Sequence, residues 1–141
     1  MKITIIGLGL IGGSFSLGLQ EHYEDLEIGG IDANEGHLET ALSLGIIHFK
    51  SSFDALHEAN IVVVAIPVDV QLEVLPMVLD NINDEALVID MGSTKSRICR
   101  VLESHPKRRN FLATHPIGGT EFSGPSAAIK DLFYNKTNII C

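Results

Sequence analysis

The sequence predicts an α/β fold: a doubly wound, mostly parallel sheet with helices on both faces. Three observations predict it. Short apolar runs alternate with stretches of helical spacing along the whole chain, and such alternation builds a parallel sheet through right-handed crossovers. The run Ile61-Val62-Val63-Val64-Ala65-Ile66 is apolar without interruption, which suits a strand covered on both faces. A glycine-rich turn follows the first apolar run and opens the first helical stretch.

Each element follows from its local pattern. Residues 3–6 are β-branched and end at Gly7, so they form a buried strand. Residues 10–19 form a helix opened by glycines, and 27–31 a second strand ending at Asp32. Residues 35–44 place Leu38, Ala41 and Leu42 on one helical face and stop at Gly45. A short third strand is predicted at 46–49 and a short helix at 53–59. The strand at 61–66 ends at Pro67. The helix at 68–79 carries Leu72, Leu75 and Leu79 on one side, with Pro76 as a kink or break. Then come a strand at 86–90, a helix at 94–104, a strand at 111–114, a loop at 116–119, a short helix at 125–132 and a last strand at 137–141.

Length and composition narrow the function classes. At 141 residues, 45% hydrophobic and 20% charged, the chain predicts a single globular domain over residues 1–141, not a disordered tail. A net charge of −8 argues against a nucleic-acid partner. It does not argue against a bound phosphate, which backbone donors can hold on an acidic protein. Cys99 and Cys141 form no C-x-x-C pair, which excludes a disulfide scaffold and a zinc ribbon. No metal-ligand spacing is found. No cleavable leader is recognisable. No apolar run reaches the roughly 18 residues a membrane span needs. A cytoplasmic location is expected.

The sharpest motif is Gly7-Leu8-Gly9-Leu10-Ile11-Gly12-Gly13-Ser14, which contains G-x-G-x-x-G. Alone the pattern is weak; directly after a strand and at the start of a helix it marks a dinucleotide site of the Rossmann type. Gly7 allows the tight turn, Gly9 the approach of a diphosphate, and Gly12 close packing of helix on strand. Backbone N–H groups of Leu8, Leu10 and Ile11 lie around the helix start, where the dipole favours anions. An acidic residue is expected about 20 positions on, to accept the ribose hydroxyls, and Asp32 stands there. Its carboxylate repels a 2′-phosphate, and no Lys or Arg follows in Ala33-Asn34-Glu35-Gly36 to receive one. NAD is therefore expected over NADP. The bland alternative makes these turn glycines and Asp32 a helix cap.

Ligands in such sheets sit outside the carboxyl ends of the strands, and three more ends carry informative residues. Pro67 and Val68 follow the strongest strand and would line the cofactor crevice. Asp90-Met91-Gly92-Ser93-Thr94-Lys95 follows the next, and His115-Pro116-Ile117-Gly118-Gly119-Thr120-Glu121 the one after. Ser93, Lys95, His115 and Glu121 would thus converge on one side. Each has a second reading. Ser93 or Thr94 suits a helix N-cap, Lys95 a structural charge, and Glu121 a cap or a surface residue. His115 stands at a strand end beside glycines, where an imidazole can donate, accept or move a proton. His22, His37, His48, His57 and His105 read as background, and the basic run from His105 to Arg109 as a solvated helix exit. Cys99 reads as buried and inert.

Together GLGLIGGS, Asp32, DMGSTK and HPIGGTEFSGP resemble the prephenate and arogenate dehydrogenases, across the whole chain. The glycine loop is shared with many dehydrogenases; DMGSTK and HPIGGTE are far more specific. The resemblance implies NAD-dependent oxidative decarboxylation of prephenate to 4-hydroxyphenylpyruvate, in tyrosine biosynthesis, without a metal. It implies that His115 is the catalytic histidine, bonded to the ring hydroxyl as this becomes a carbonyl. It also implies that Ser93 bridges that histidine, the hydroxyl and the nicotinamide, and that Thr120 and Glu121 line the substrate pocket. Members carry a helical second domain that supplies an arginine for the substrate carboxylates and most of a homodimer interface. The chain stops at Cys141, at its last predicted strand, so the resemblance implies a cofactor half bearing one wall of the active site. The second glycine of HPIGG is more often alanine.

Two other readings stay open. Arogenate dehydrogenase uses the same residues on the amino-acid analogue. A non-catalytic nucleotide-sensing module would need neither His115 nor Ser93, since fold does not fix function.

Overall fold

A computed structural model describes residues 1–141. The seven strands are β1 (Lys2–Ile6), β2 (Glu27–Ile31), β3 (Phe49–Lys50), β4 (Ile61–Val64), β5 (Leu87–Asp90), β6 (Phe111–Pro116) and β7 (Asn138–Ile140). Four helices cross between them: α1 (Leu10–His22), α2 (Glu35–Ser43), α3 (Val68–Asn81) and α4 (Ser96–Leu102). The sheet order is β3-β2-β1-β4-β5-β6-β7. All ladders are parallel except β6–β7. The order reverses between β1 and β4, and that switch point opens the crevice where such folds take ligands.

The core lies on both faces of the sheet. One cluster joins Val62, Val64, Val88 and Ala113 to Leu75, Val78 and Leu79 of α3 and to Ile98 and Leu102 of α4. The other joins Ile3, Ile5, Ile28 and Val63 to Leu38 and Ala41 of α2, with Ile11 and Phe15 of α1 packed against it. Burial on both sides explains why Val62-Val63-Val64 shows no polar alternation.

Several boundaries differ from expectation, each for a local reason. The third strand is Phe49–Lys50 instead of 46–49. Gly45 turns the chain at φ +67°, and the amides of Ile46 and Ile47 still bond back to Ala41 O at 2.8 and 3.4 Å. Pairing with β2 begins only where Phe49 meets Gly29. A Cβ on Gly29 would lie 2.6 Å from the Phe49 ring, so the glycine pair of β2 makes room for the side chains packed over it.

Helix α3 runs through Pro76 without a break, although proline removes the bond to Leu72 O. Fully buried Leu75, Val78 and Leu79 hold that turn to the sheet. Residues 53–59 form a 3-10 helix, Phe53–Glu58. The expected helix at 125–132 is only a 3-10 turn, Pro125–Ala127. The Ile129 amide there donates to Ser14 Oγ at 2.8 Å instead of to a helical carbonyl. The strand after Arg109 is longer than 111–114, because the antiparallel pairs Thr114–Ile140, His115–Ile139 and Pro116–Asn138 extend it. The helix expected at 94–104 is trimmed to Ser96–Leu102.

Candidate functional site

The glycine loop leaves β1 and enters α1 with each glycine under a different constraint. Gly7 has φ +93°, and a Cβ there would stand 2.5 Å from Ala65 O. A Cβ on Gly12 would come within 2.0 Å of Gly7 O, and one on Gly13 within 2.9 Å of Ala128 Cβ. These three are required by the fold itself. Gly9 is not: nothing lies within 4 Å of its Cβ position. It stands at the N-cap of α1, which has no side-chain cap bond and no acidic residue in its first turn. An uncapped 13-residue helix with open space before it suits an anion. The Leu8 and Leu10 side chains are buried and Ile11 packs against the core; the Leu10 and Ile11 amides open the helix toward a ligand, whereas the Leu8 amide, expected to do the same, is taken by Asp32.

Asp32, just past β2, is tied to that loop. Its Oδ2 accepts from Leu8 N at 2.8 Å and its Oδ1 from Asn34 N at 2.9 Å. The helix-cap reading of Asp32 fails, because α2 is capped by Asn34, whose Oδ1 accepts from Gly36 N at 2.9 Å. Two oxygens offer about four acceptor positions, so the carboxylate keeps capacity for a further donor. It borders a cavity of about 500 Å³ at the switch point, lined by Gly7, Gly9, Asp32, Ala33, His37, Phe53, Pro67 and Val70 among others. Pro67 stands in this wall as expected.

His37, read from the sequence as background, is in that wall too, with Nδ1 3.4 Å from Asp32 Oδ1. Its signal was its place in the first turn of the helix after Asp32. The nearby lysine from β3 is occupied: Lys50 Nζ bonds both Glu35 and Glu39. Glu35 first and Glu39 second hold its ammonium above the ordinary lysine range. No unpaired lysine is thus offered to a 2′-phosphate from that side.

The other three histidines with polar ring contacts serve the fold. His48 Nδ1 accepts from Ile28 N at 3.0 Å where β3 has not yet begun. His57 Nδ1 donates to Asp54 O at 2.7 Å. His105 Nδ1 accepts from Lys107 N at 3.1 Å. Cys99 is only partly buried.

DMGSTK and HPIGGTE leave the carboxyl ends of β5 and β6, which are neighbours in parallel register, Asp90 opposite Ala113. Ser93 is exposed on the loop before α4. That helix is entered through Lys95 with no side-chain cap bond, so neither Ser93 nor Thr94 caps it. Lys95 is a structural charge, bonded to the fully buried Asp90. His115 is half-buried. It borders an open recess of about 730 Å³ with Pro116, Gly118, Gly119, Asp131 and Lys136 among others. Thr120 and Glu121 are exposed; Thr120 Oγ1 accepts from Phe122 N at 3.2 Å. Glu121 lines a different recess, and the two recesses meet at Ile129. The fold thus gathers the loop, Asp32 and Pro67 around one cavity. Ser93 and His115 stand at adjacent strands, and Glu121 lines a recess other than that of His115.

A strand-order switch, a glycine loop whose Gly9 alone has free space, and a tethered aspartate together describe a nucleotide site. The family model described as prephenate dehydrogenase, nucleotide-binding domain, matches residues 15–141. The chain belongs to that family. The matched stretch begins just after the glycine loop, which the relatives extend over. The prephenate dehydrogenase of Lactococcus lactis subsp. cremoris is 38% identical over 138 residues, 95% of this chain and 39% of the relative. That of Bacillus subtilis is 36% identical over 146 residues, 99% of this chain and 39% of the relative.

Among solved structures, prephenate dehydrogenase from A. aeolicus in complex with hydroxyphenyl propionate and NAD+ superposes with a TM-score of 0.89 at 28% identity. It covers 99% of this chain and 50% of its own. Synechocystis arogenate dehydrogenase superposes with a TM-score of 0.89 at 26% identity, over 99% of this chain and 49% of its own. The chain therefore spans about 39% of those curated relatives and about half of the solved chains. It has the Rossmann-type fold of a nucleotide-binding domain in an oxidoreductase family. No helix is long and apolar enough to cross a membrane.

Proposed function

We propose that this chain is the NAD-binding part, a single domain over residues 1–141, of an enzyme that oxidatively decarboxylates prephenate to 4-hydroxyphenylpyruvate. The observation that carries the reading is that the three chemistry-bearing segments all leave carboxyl strand ends on one side of one sheet. These are the glycine loop after β1, DMGSTK after β5 and HPIGGTE after β6.

The residues present fit NAD. Gly9 leaves space beside the start of α1, and Asp32 and Pro67 border a cavity of about 500 Å³. When bound, NAD+ supplies the hydride acceptor. Backbone N–H groups from Gly9 to Ile11 would hold its diphosphate and Asp32, steadied by the Leu8 N–H, its ribose hydroxyls. His115 would accept a hydrogen bond from the ring hydroxyl and draw off its proton as the carbonyl forms, which lowers the barrier to hydride loss. Ser93 would orient that hydroxyl. Thr120 and Glu121 would contact the remainder of the substrate. Loss of CO2 with aromatisation drives the reaction forward and leaves a phenolate oxygen that takes the proton back from His115, so these residues need only bind, orient and move one proton. The enzyme would act in the cytoplasm in tyrosine biosynthesis, as a homodimer joined through the part of its relatives that this chain does not span.

Arogenate is the second reading. It is supported by the likeness to Synechocystis arogenate dehydrogenase and to the cyclohexadienyl dehydrogenase of Zymomonas mobilis, 29% identical over 140 residues. Calorimetric titration of the chain with NAD+ and with NADP+ tests the cofactor. Preferential binding of NAD+ is expected; equal binding of both would remove Asp32 as the selecting group. Turnover of prephenate against arogenate by the full-length protein decides the substrate, and turnover of arogenate alone would displace prephenate.

A further inference from the structure

The buried carboxylate of Asp90 has more bonds across the site than burial alone requires. It is the last residue of β5 and is fully buried. A charge in such a place is costly unless paired and hydrogen-bonded. Its Oδ2 takes Lys95 Nζ and, at 3.2 Å, Gly92 N; its Oδ1 takes Thr114 N at 3.1 Å. The Asp90 carbonyl takes Thr114 Oγ1 at 2.7 Å.

These partners are placed with a pattern. Gly92 precedes Ser93 and Lys95 follows two residues after it, while Thr114 precedes His115. One carboxylate therefore holds the backbone just before Ser93 and just before His115, and the Lys95 side chain just after Ser93. The parallel ladder of β5 and β6 ends at Asp90–Ala113. From Thr114 on, β6 pairs with β7 instead. The Asp90 side chain takes over from the ladder at the point where the two strands would otherwise part.

The loop has no slack over this carboxylate. A Cβ on Gly92 would stand 3.2 Å from Asp90 Oδ2 and 3.0 Å from Gln71 Nε2. Gln71 is itself fully buried and donates to Ile66 O at 2.9 Å, beside Pro67 of the cofactor cavity. Well-packed apolar residues in place of a buried ion pair are often as stable or more so. Stability alone thus gives little reason for Asp90 and Lys95, whereas geometry does.

We propose that Asp90 is a positioning residue that fixes Ser93 and His115 relative to one another for the dehydrogenase reaction. This rests on the function proposed above. The test uses the full-length protein, prephenate, arogenate and NAD+. For Asp90→Asn, which keeps shape and loses the charge, kcat is expected to fall about 10²-fold, the cost of misplacing reacting groups by about 1 Å. The dissociation constant for NAD+ is expected to stay within about twofold, because the glycine loop leaves β1, with β4 between it and β5. Lys95→Gln, which keeps a donor but leaves the buried carboxylate short of a charge, is expected to lower kcat in the same sense.

A folded Asp90→Asn protein with unchanged kcat overturns the proposal. So does a parallel loss of NAD+ binding and thermal stability, which marks a merely structural role. Should Asp90→Asn not fold, Lys95→Gln decides on the same criteria. If the wild-type protein turns over neither substrate, the proposed function fails and this inference falls with it; if the wild type is active and the variants match it, only the inference fails.

Discussion

Gly9→Ala separates the demands of the fold from those of the ligand. Within the chain an alanine there is nearly free. Nothing lies within 4 Å of the new methyl, and φ is −73°, open to any L residue. Stiffening the unfolded chain favours the variant by about 0.4–1 kcal/mol. Alanine is a poorer N-cap than glycine, which costs about 1 kcal/mol. The two effects nearly cancel, and a residual of at most about 0.6 kcal/mol moves Tm by only about 2 °C in a chain of this size. Against the cofactor the same methyl occupies the space a diphosphate needs. Losing one charge-assisted hydrogen bond costs about 1.5–3 kcal/mol, which weakens binding roughly 10- to 150-fold. The assay is paired: thermal melting without ligand, then calorimetric titration with NAD+. Gly12→Ala is the contrast, since its methyl would meet Gly7 O at 2.0 Å and it should lose stability before any ligand is added. Wild-type affinity in a normally folded Gly9→Ala protein would refute the placement of the diphosphate at this loop.

Three further outcomes are expected. Asp32→Ala removes the acceptor of Leu8 N and Asn34 N together with the charge that repels a 2′-phosphate, so the ratio of NADP+ to NAD+ affinity should rise; an unchanged ratio in parallel titrations would assign the ribose to another group. His115→Asn in the full-length protein should lower kcat by about 10²–10⁴-fold with NAD+ affinity intact; unchanged turnover would remove this histidine from the mechanism. Glu58 is held below its ordinary range, first by the hydrogen bond from Lys2 Nζ and then by that ammonium's charge. A carboxyl lowered on folding stabilises the fold above its unfolded pKa and loses that contribution as pH falls through the folded value. The Tm gap between wild type and Lys2→Met should therefore shrink on acidification below about pH 4.3. The contact of Lys2 with the Phe49 ring, at 5.3 Å, does not titrate and leaves only a constant offset; a gap independent of pH would remove the ion pair from the account.

What the sequence made legible was local. The first strand, the glycine loop and α1 are contiguous, and their spacing is enough to place a phosphate site. The all-apolar run through Val62-Val63-Val64 is equally direct, because only a strand buried on both faces can bear it. What escaped depended on distant partners. The shortening of the helix at 125–132 traces to Ser14 taking the Ile129 amide across 115 positions. The antiparallel course of β7 is chosen by β6, and three residues, Asn138–Ile140, carry no sign of strand direction. His37 looked like any surface histidine until α2 turned it beside Asp32. Lys95 was readable as a structural charge, but its partner was not, since nothing in DMGSTK says that the first residue points inward.

The two halves of the site differ in what holds them. The cofactor half is held by backbone shape: a positive-φ glycine, close-packed glycines and an aspartate that collects amides. Its tolerance is low at Gly7 and Gly12 and high at Gly9. The half proposed to react is held by the β5–β6 ladder and, past its end, by one buried charge. Ser93 has no capping bond to fix it, and His115 sits where a strand changes partners. The β5–β6 ladder stops at Asp90–Ala113, and beyond it the Asp90 side chain carries the register on to Thr114 and Gly92. The contrast has a kinetic consequence. Substitutions in the loop should act on cofactor affinity and leave the reacting groups aligned. Substitutions around Asp90 should act on kcat and leave affinity alone. A protein whose parameters always moved together would not have a site divided in this way.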